Sequence, residues 1–254
     1  MKHIFDTHAH YNDAAFDFDR KDLLDSLPGS GISGVINCGT DLDSSKYSLA
    51  LSKEYTYIFA ACGLHPEEAD KYSSDFLSEL KPLLRGEKCV AVGEIGLDYH
   101  YRDDNKELQK EIFEKQILLA NEYALPVIVH DRDAHGDSLE ILKRTRPKGV
   151  MHCFSGSVET MHEVVSLGMY IGLGGAVTFK NAKKPLEVAK AMPIDRLLLE
   201  TDCPYMAPVP KRGTRNDSSL ILYAAQKISE VRGISSEELL LITEENAKRL
   251  FKLV

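Results

Sequence analysis

The chain has no CxxC pair and no GxGxxG or GxxxxGK[ST] loop behind its first apolar run. It also has no apolar stretch near the roughly 18 residues that a membrane-spanning helix needs. Each absence removes a class of protein. Without a glycine-rich phosphate loop, a nucleotide-binding version of an α/β fold loses its main support. The five cysteines, Cys38, Cys62, Cys89, Cys153 and Cys203, are odd in number and sit in apolar runs, so they read as reduced thiols. An excess of basic charge is missing too. The net charge of -8 argues against a sequence-independent duplex binder, although it leaves room for phosphate chemistry assisted by divalent cations. No basic-then-apolar leader opens the sequence. The expectation is a soluble, cytoplasmic protein, with no membrane partner and no obligate protein partner to be inferred. Low-complexity tracts, short repeats and long polar linkers are likewise lacking. Residues 1–254, with 43% hydrophobic and 28% charged side chains, are therefore expected to form one domain.

What the chain does have is a recurring short apolar run. KHIFDTHAH, GVINCGT, YIFAACGLH, CVAVGEIGLD, PVIVHDRD, GVMHCFSG, MYIGLGGAV and RLLLETDCP are eight strand candidates. Their continuously apolar middles suit parallel strands buried on both faces. Helical material lies between them, as in Lys106 to Tyr123, and Ser235 with Glu238 makes a capping-box spacing before EELLLITEENAKRLF. Strand and helix alternating eight times within about 250 residues is the pattern of an α/β (β/α)8 TIM barrel. An open doubly wound sheet is the other arrangement the pattern allows.

A barrel places its chemistry at the C-terminal ends of its strands. Those ends carry His8 and His10, His65, Glu94, His130, His152, and Glu200-Thr201-Asp202. His8, His10, Glu94, His130, His152 and Asp202 are too many ligands for one catalytic zinc, which usually takes three. They suit two divalent cations roughly 3.5–4 Å apart with a shared carboxylate. Glu94 is the expected bridge, with His8, His10 and Asp202 on one cation and His130 and His152 on the other. Asp202 is also a candidate general base. The nitrogen and oxygen donors leave zinc, manganese or magnesium open. Asp6, alternate with His8, is expected to orient one of the rings.

With these residues in view, the sequence resembles the TatD family of metal-dependent deoxyribonucleases, within the amidohydrolase-like TIM barrels. DTHAHYND, CGLHPEEA, AVGEIGLDYHYRDDN, LPVIVHDRDA, MHCFSGS, LLLETDCPYMAPVP and ENAKRLF carry the resemblance across nearly the whole chain. It implies metal ligands at His8, His10, Glu94, His130, His152 and Asp202, and DNA as substrate. One loop departs: where the family reads RGKxNEP, this chain has Arg212-Gly213-Thr214-Arg215-Asn216-Asp217-Ser218.

The expected reaction is phosphodiester hydrolysis by metal-activated water, on ends or single strands of DNA. Glu94, Asp202 and His65 are the expected catalytic residues, with His65 contacting the phosphate or leaving group unless it only caps a turn. Arg132, Lys211, Arg212 and Arg215 are candidate substrate contacts. The bland reading makes Arg132 a partner of Asp133 or Asp137, and the other three a solvated loop. Tyr99, His100 and Tyr101 either stack an exposed base or simply cover the rim. A hydrolase of small esters, lactones or amides is the second enzymatic reading, and a non-catalytic metal- or nucleic-acid-binding protein is the third.

Overall fold

The computed structural model describes residues 3–253. The apolar runs become β1 (Ile4–Ala9), β2 (Ile32–Cys38), β3 (Ile58–Cys62), β4 (Cys89–Asp98), β5 (Val127–Arg132), β6 (Gly149–Met151), β7 (Tyr170–Leu173) and β8 (Leu197–Leu199). They form one parallel sheet in chain order. The intervening helices are α1 (Arg20–Ser26), α2 (Leu42–Glu54), α3 (Phe76–Leu84), α4 (Lys106–Glu122), α5 (His135–Thr145), α6 (Val158–Ser166) and α7 (Lys183–Ala191), with α8 (Ile221–Arg232) and α9 (Ser236–Phe251) after β8. The Ser235 side chain caps α9 through the Glu238 N–H, as the spacing predicts. The sheet closes where the Asp202 N–H donates to the His8 carbonyl (2.9 Å) and the His10 N–H to the Cys203 carbonyl (2.8 Å). The fold is a (β/α)8 barrel.

One apolar cluster takes Phe5, Ile36, Ala61, Ala91, Ile128, Val150, Tyr170 and Leu198, a residue from every strand, and is capped by Ala247, Leu250 and Phe251 of α9. This is the barrel interior. Two residues onward, on the same face, come His130, His152 and Glu200. In β1 and β4 the register slips between Asp6 and Ala9 and between Val92 and Ile95. A slip re-aims the next side chain, so His8 and Glu94 reach the interior three residues after Phe5 and Ala91. Gly96 follows the second slip, where β4 runs close against β5. Its φ is 149°, and a Cβ there would run into the His130 carbonyl.

Candidate metal centre

Glu94 is the hub. Its Oε2 lies 3.2 Å from His8 Nε2 and 3.3 Å from His10 Nε2, and its Oε1 lies 2.9 Å from His130 Nδ1 and 2.7 Å from His152 Nε2. One carboxylate thus turns its two oxygens toward different imidazole pairs, with the His8 and His152 rings stacked between them at 3.9 Å. Asp202 Oδ1 stands 3.6 Å from His8 Nε2 and 3.5 Å from His10 Nε2. Asp202 holds a left-handed backbone (φ 59°), which aspartate tolerates better than most residues. All six predicted ligands therefore meet in one place.

The orientation of the rings says what fits between them. The His10 Nδ1–H donates to the Cys38 carbonyl (3.0 Å), and the His130 Nε2–H donates to Asp98 Oδ2 (2.9 Å). A carbonyl or carboxylate accepts only, so these bonds fix the outward nitrogens as N–H. The inward nitrogens keep lone pairs aimed at carboxylate oxygens. His8 Nε2 and His10 Nε2, 2.9 Å apart, also converge. Lone pair facing lone pair is tolerable only with a cation or proton between, and nitrogen and oxygen donors in this number suit divalent metals.

Protons take those places when metal does not. Burial works against charging His10, but Asp202 and Glu94 hold it up at about 10. Burial likewise opposes charge on His130, where Asp98 and Glu94 hold the ring at about 10. His8, buried beside His152, is pushed down to about 4. Burial pushes the Glu94 carboxyl up, yet His152, His8 and His65 hold it well below the usual carboxylate range.

His65 both caps and reaches. Its Nδ1 accepts from the Glu67 N–H (3.2 Å) at the start of a 3-10 turn, while its Nε2 points at Glu94 Oε1 (3.5 Å). An accepting Nδ1 leaves the proton on Nε2, which makes His65 a hydrogen-bond donor toward the site. His10, His65, Glu94, His130, His152 and Asp202 line a cavity of about 640 Å³, with His8 buried behind them. Around them stand Asn12, Asp13, Thr40, Glu67, Glu68, Tyr101, Arg132, Tyr205 and Met206. Arg132 has no carboxylate partner among the described residues, and its guanidinium lies over the Tyr101 ring at 4.6 Å. It pairs with neither Asp133 nor Asp137. Polar and charged side chains make up most of this lining, with Tyr101, Tyr205 and Met206 beside them.

Two expectations need correction. Arg215 does not face the cavity: it forms a two-pronged ion pair with Asp19 (2.7 and 2.6 Å) and stacks on Phe16, so its charge is already committed. Asp6 orients no ring. Its carboxylate accepts from the Thr201 hydroxyl (2.6 Å), the Ser218 hydroxyl (2.6 Å) and the N–H groups of His8 and Thr201, and so pins β1 to the chain beyond β8. Ser218, at the loop's point of departure, is thereby part of the barrel's closure. Lys211 and Arg212 are exposed and lie outside the cavity lining, with Arg212 over Phe179.

Sequence reasoning missed three supports. Asp98 holds His130, Gln109 clamps the Asp98 backbone from α4, and Gln116 clamps Leu64, next to His65. The pair of glutamines seven apart on an otherwise apolar helix face was the available signal. Glu200, fully buried and pushed up to about 8 by burial, takes the Cys153 N–H and lies 3.8 Å from His152 Nδ1.

The model of the TatD-related DNases matches residues 5–252. The chain belongs to that family. YabD of Bacillus subtilis, described as an uncharacterized metal-dependent hydrolase, is 44% identical over 98% of this chain and 99% of its own. A protein of Cronobacter sakazakii named 3'-5' ssDNA/RNA exonuclease TatD is 32% identical over 98% and 97%. The crystal structure of YJJV, a TatD homologue from Escherichia coli K12, superposes with a TM-score of 0.94 at 34% identity over 99% of each chain. As a TatD-family protein, this chain is a metal-dependent hydrolase. No helix among its described residues is long and apolar enough to cross a membrane.

Proposed function

We propose that the chain works as one domain, a two-metal nuclease that hydrolyses phosphodiester bonds of single-stranded nucleic acid, DNA first, from an exposed end. The observation that carries this reading is the division of Glu94, with Oε2 toward His8 and His10 and Oε1 toward His130 and His152. In it, His8, His10 and Asp202 would hold one divalent cation and His130 and His152 the other, with Glu94 available to both; zinc, manganese and magnesium all suit the donors. Bound there, the cations supply Lewis acidity toward phosphate oxygens and make water a better nucleophile.

The remaining work falls to side chains. Asp202, with 19% of its side chain exposed to the cavity, takes the proton of the attacking water. The His65 Nε2–H donates to a phosphate or leaving-group oxygen. Arg132 is the only arginine or lysine lining the cavity among the described residues, and offsets phosphate charge at the site. Lys211 and Arg212 meet the strand farther out. A pocket at a barrel mouth admits a chain terminus more easily than a duplex interior. The name carried by the Cronobacter relative supports the same substrate class.

The test is hydrolysis of end-labelled single-stranded DNA and RNA by metal-stripped protein resupplied with magnesium, manganese or zinc. Metal-dependent laddering that disappears in Glu94→Gln and Asp202→Asn is expected. Wild-type protein that binds two metals yet leaves both polymers intact would overturn the reading.

A further inference from the structure

The turn after β4 presents three aromatic rings, and the structure separates them. The Tyr99 hydroxyl donates to Asp137 and Lys106 covers its ring, whereas His100 pairs with Asp133. Only Tyr101 lines the cavity of the metal centre, and 60% of it is exposed. A large ring left open beside a charged site calls for an occupant with a π-face.

Its placement is tied to the metal ligands. Asp98 Oδ1 accepts from the N–H groups of His100 and Tyr101 (both 2.9 Å), while Oδ2 of the same carboxylate takes the His130 Nε2–H. One side chain therefore sets both the ring and the imidazole. Arg132, paired with Asp98 across β4 and β5, lays its guanidinium over one face of the Tyr101 ring at 4.6 Å, which braces the ring from that side.

We infer that Tyr101, braced by Arg132, is the platform on which the base beside the scissile phosphate stacks; this rests on the nuclease reading above. Every base has a π-face, so such a platform holds a nucleotide without reading its identity. Tyr101 is a specificity residue for a base against no base, not for one base against another.

The experiment compares metal-loaded wild type, Tyr101→Ala and Tyr101→Trp on two single-stranded oligomers that differ only in whether the nucleotide removed first carries a base or is abasic. Losing one base–ring stack should raise KM between roughly five- and a hundredfold. Tyr101→Ala should show that rise on the base-bearing oligomer, and Tyr101→Trp should recover it. The abasic end should cost wild type the same factor and Tyr101→Ala almost nothing more. Metal content by elemental analysis should be equal in all three proteins. A Tyr101→Ala enzyme with wild-type KM, one equally impaired on both oligomers, or one that loses metal without recovery in Tyr101→Trp would overturn the inference while the nuclease reading stands. Wild type that cuts neither oligomer would overturn both.

Discussion

The two ends of the barrel solve opposite problems. At the end where the strands begin, side-chain donors answer backbone acceptors. Lys88 donates to the carbonyls of Ser52, Tyr55, Thr56 and Ile58, Asn246 to those of Ile194 and Leu197, and Arg232 to those of Ala189 and Met192. These bonds close the ends of α2 and α7 and the starts of β3 and β8. At the other end, acceptors confront acceptors: four imidazoles and two carboxylates crowd together. The buried polar atoms left without partners, Asn105 Nδ2, Asp131 Oδ1, Ser138 Oγ, His152 Nδ1 and Glu200 Oε2, all lie toward that end among the described residues. One end pairs its polar groups within the chain, and the other gathers carboxylates and imidazoles around Glu94 in an arrangement suited to divalent cations.

Substitutions at the two ends should separate cleanly. Glu94→Gln removes the shared carboxylate, and hydrolysis should fall by about a thousandfold or more. The melting temperature of the metal-free protein should stay within a few degrees of wild type or rise, as at sites where activity costs stability. A large loss of stability would mean that the cluster also holds the fold together. Lys88→Met should do the reverse. It strips charge-assisted bonds from four carbonyls, so stability measured by urea unfolding should drop by about 2–3 kcal/mol, with kcat intact.

Asp98→Ala probes the boundary between the ends' logics, because Asp98 is structural in its contacts and functional in what it aims. Loss of the partner that orients a metal-ligating histidine typically weakens metal binding about 10–100-fold. Calorimetric titration with zinc or manganese should show that loss in one of two binding steps; an unchanged isotherm would sever Asp98 from the site. Asp41 offers the smallest effect and the sharpest control. It caps α2 at the functional end, yet outside the cavity. Asp41→Ala should cost about 1 kcal/mol without touching activity. Partial burial raises the Asp41 carboxyl, but Lys71 and Ser44 draw it down to about 2. Because this lies below its unfolded value, the contribution is present above about pH 4 and fades as pH falls toward 2. The difference between wild type and Asp41→Ala in acid unfolding should shrink over that window, and a constant difference would contradict the assignment.

The barrel was legible because parallel strands buried on both faces read as plain apolar runs; β4 matches its run end for end. Five of the six candidate ligands were legible because they stand at or just past the ends of those runs, and Glu94 because it is a carboxylate inside one. Long-range hydrogen bonds leave no such mark. Asp98 looks like a strand terminus until His130 is seen against it, and Gln109 and Gln116, though they interrupt an apolar face, name no partner until α4 packs. Arg215 in a basic loop reads the same whether it is free or paired with Asp19. Asp6 was misread for a different reason: strict alternation puts it with His8, and the register slip in β1 breaks the alternation between them.

The central claim is that Glu94 divides four histidines into two metal pockets. It is tested most directly by anomalous diffraction from crystals soaked in manganese or zinc. Two peaks are predicted, one against His8, His10 and Asp202, the other against His130 and His152, with Glu94 touching both. A single peak, or two that leave Glu94 uncoordinated, would contradict the account.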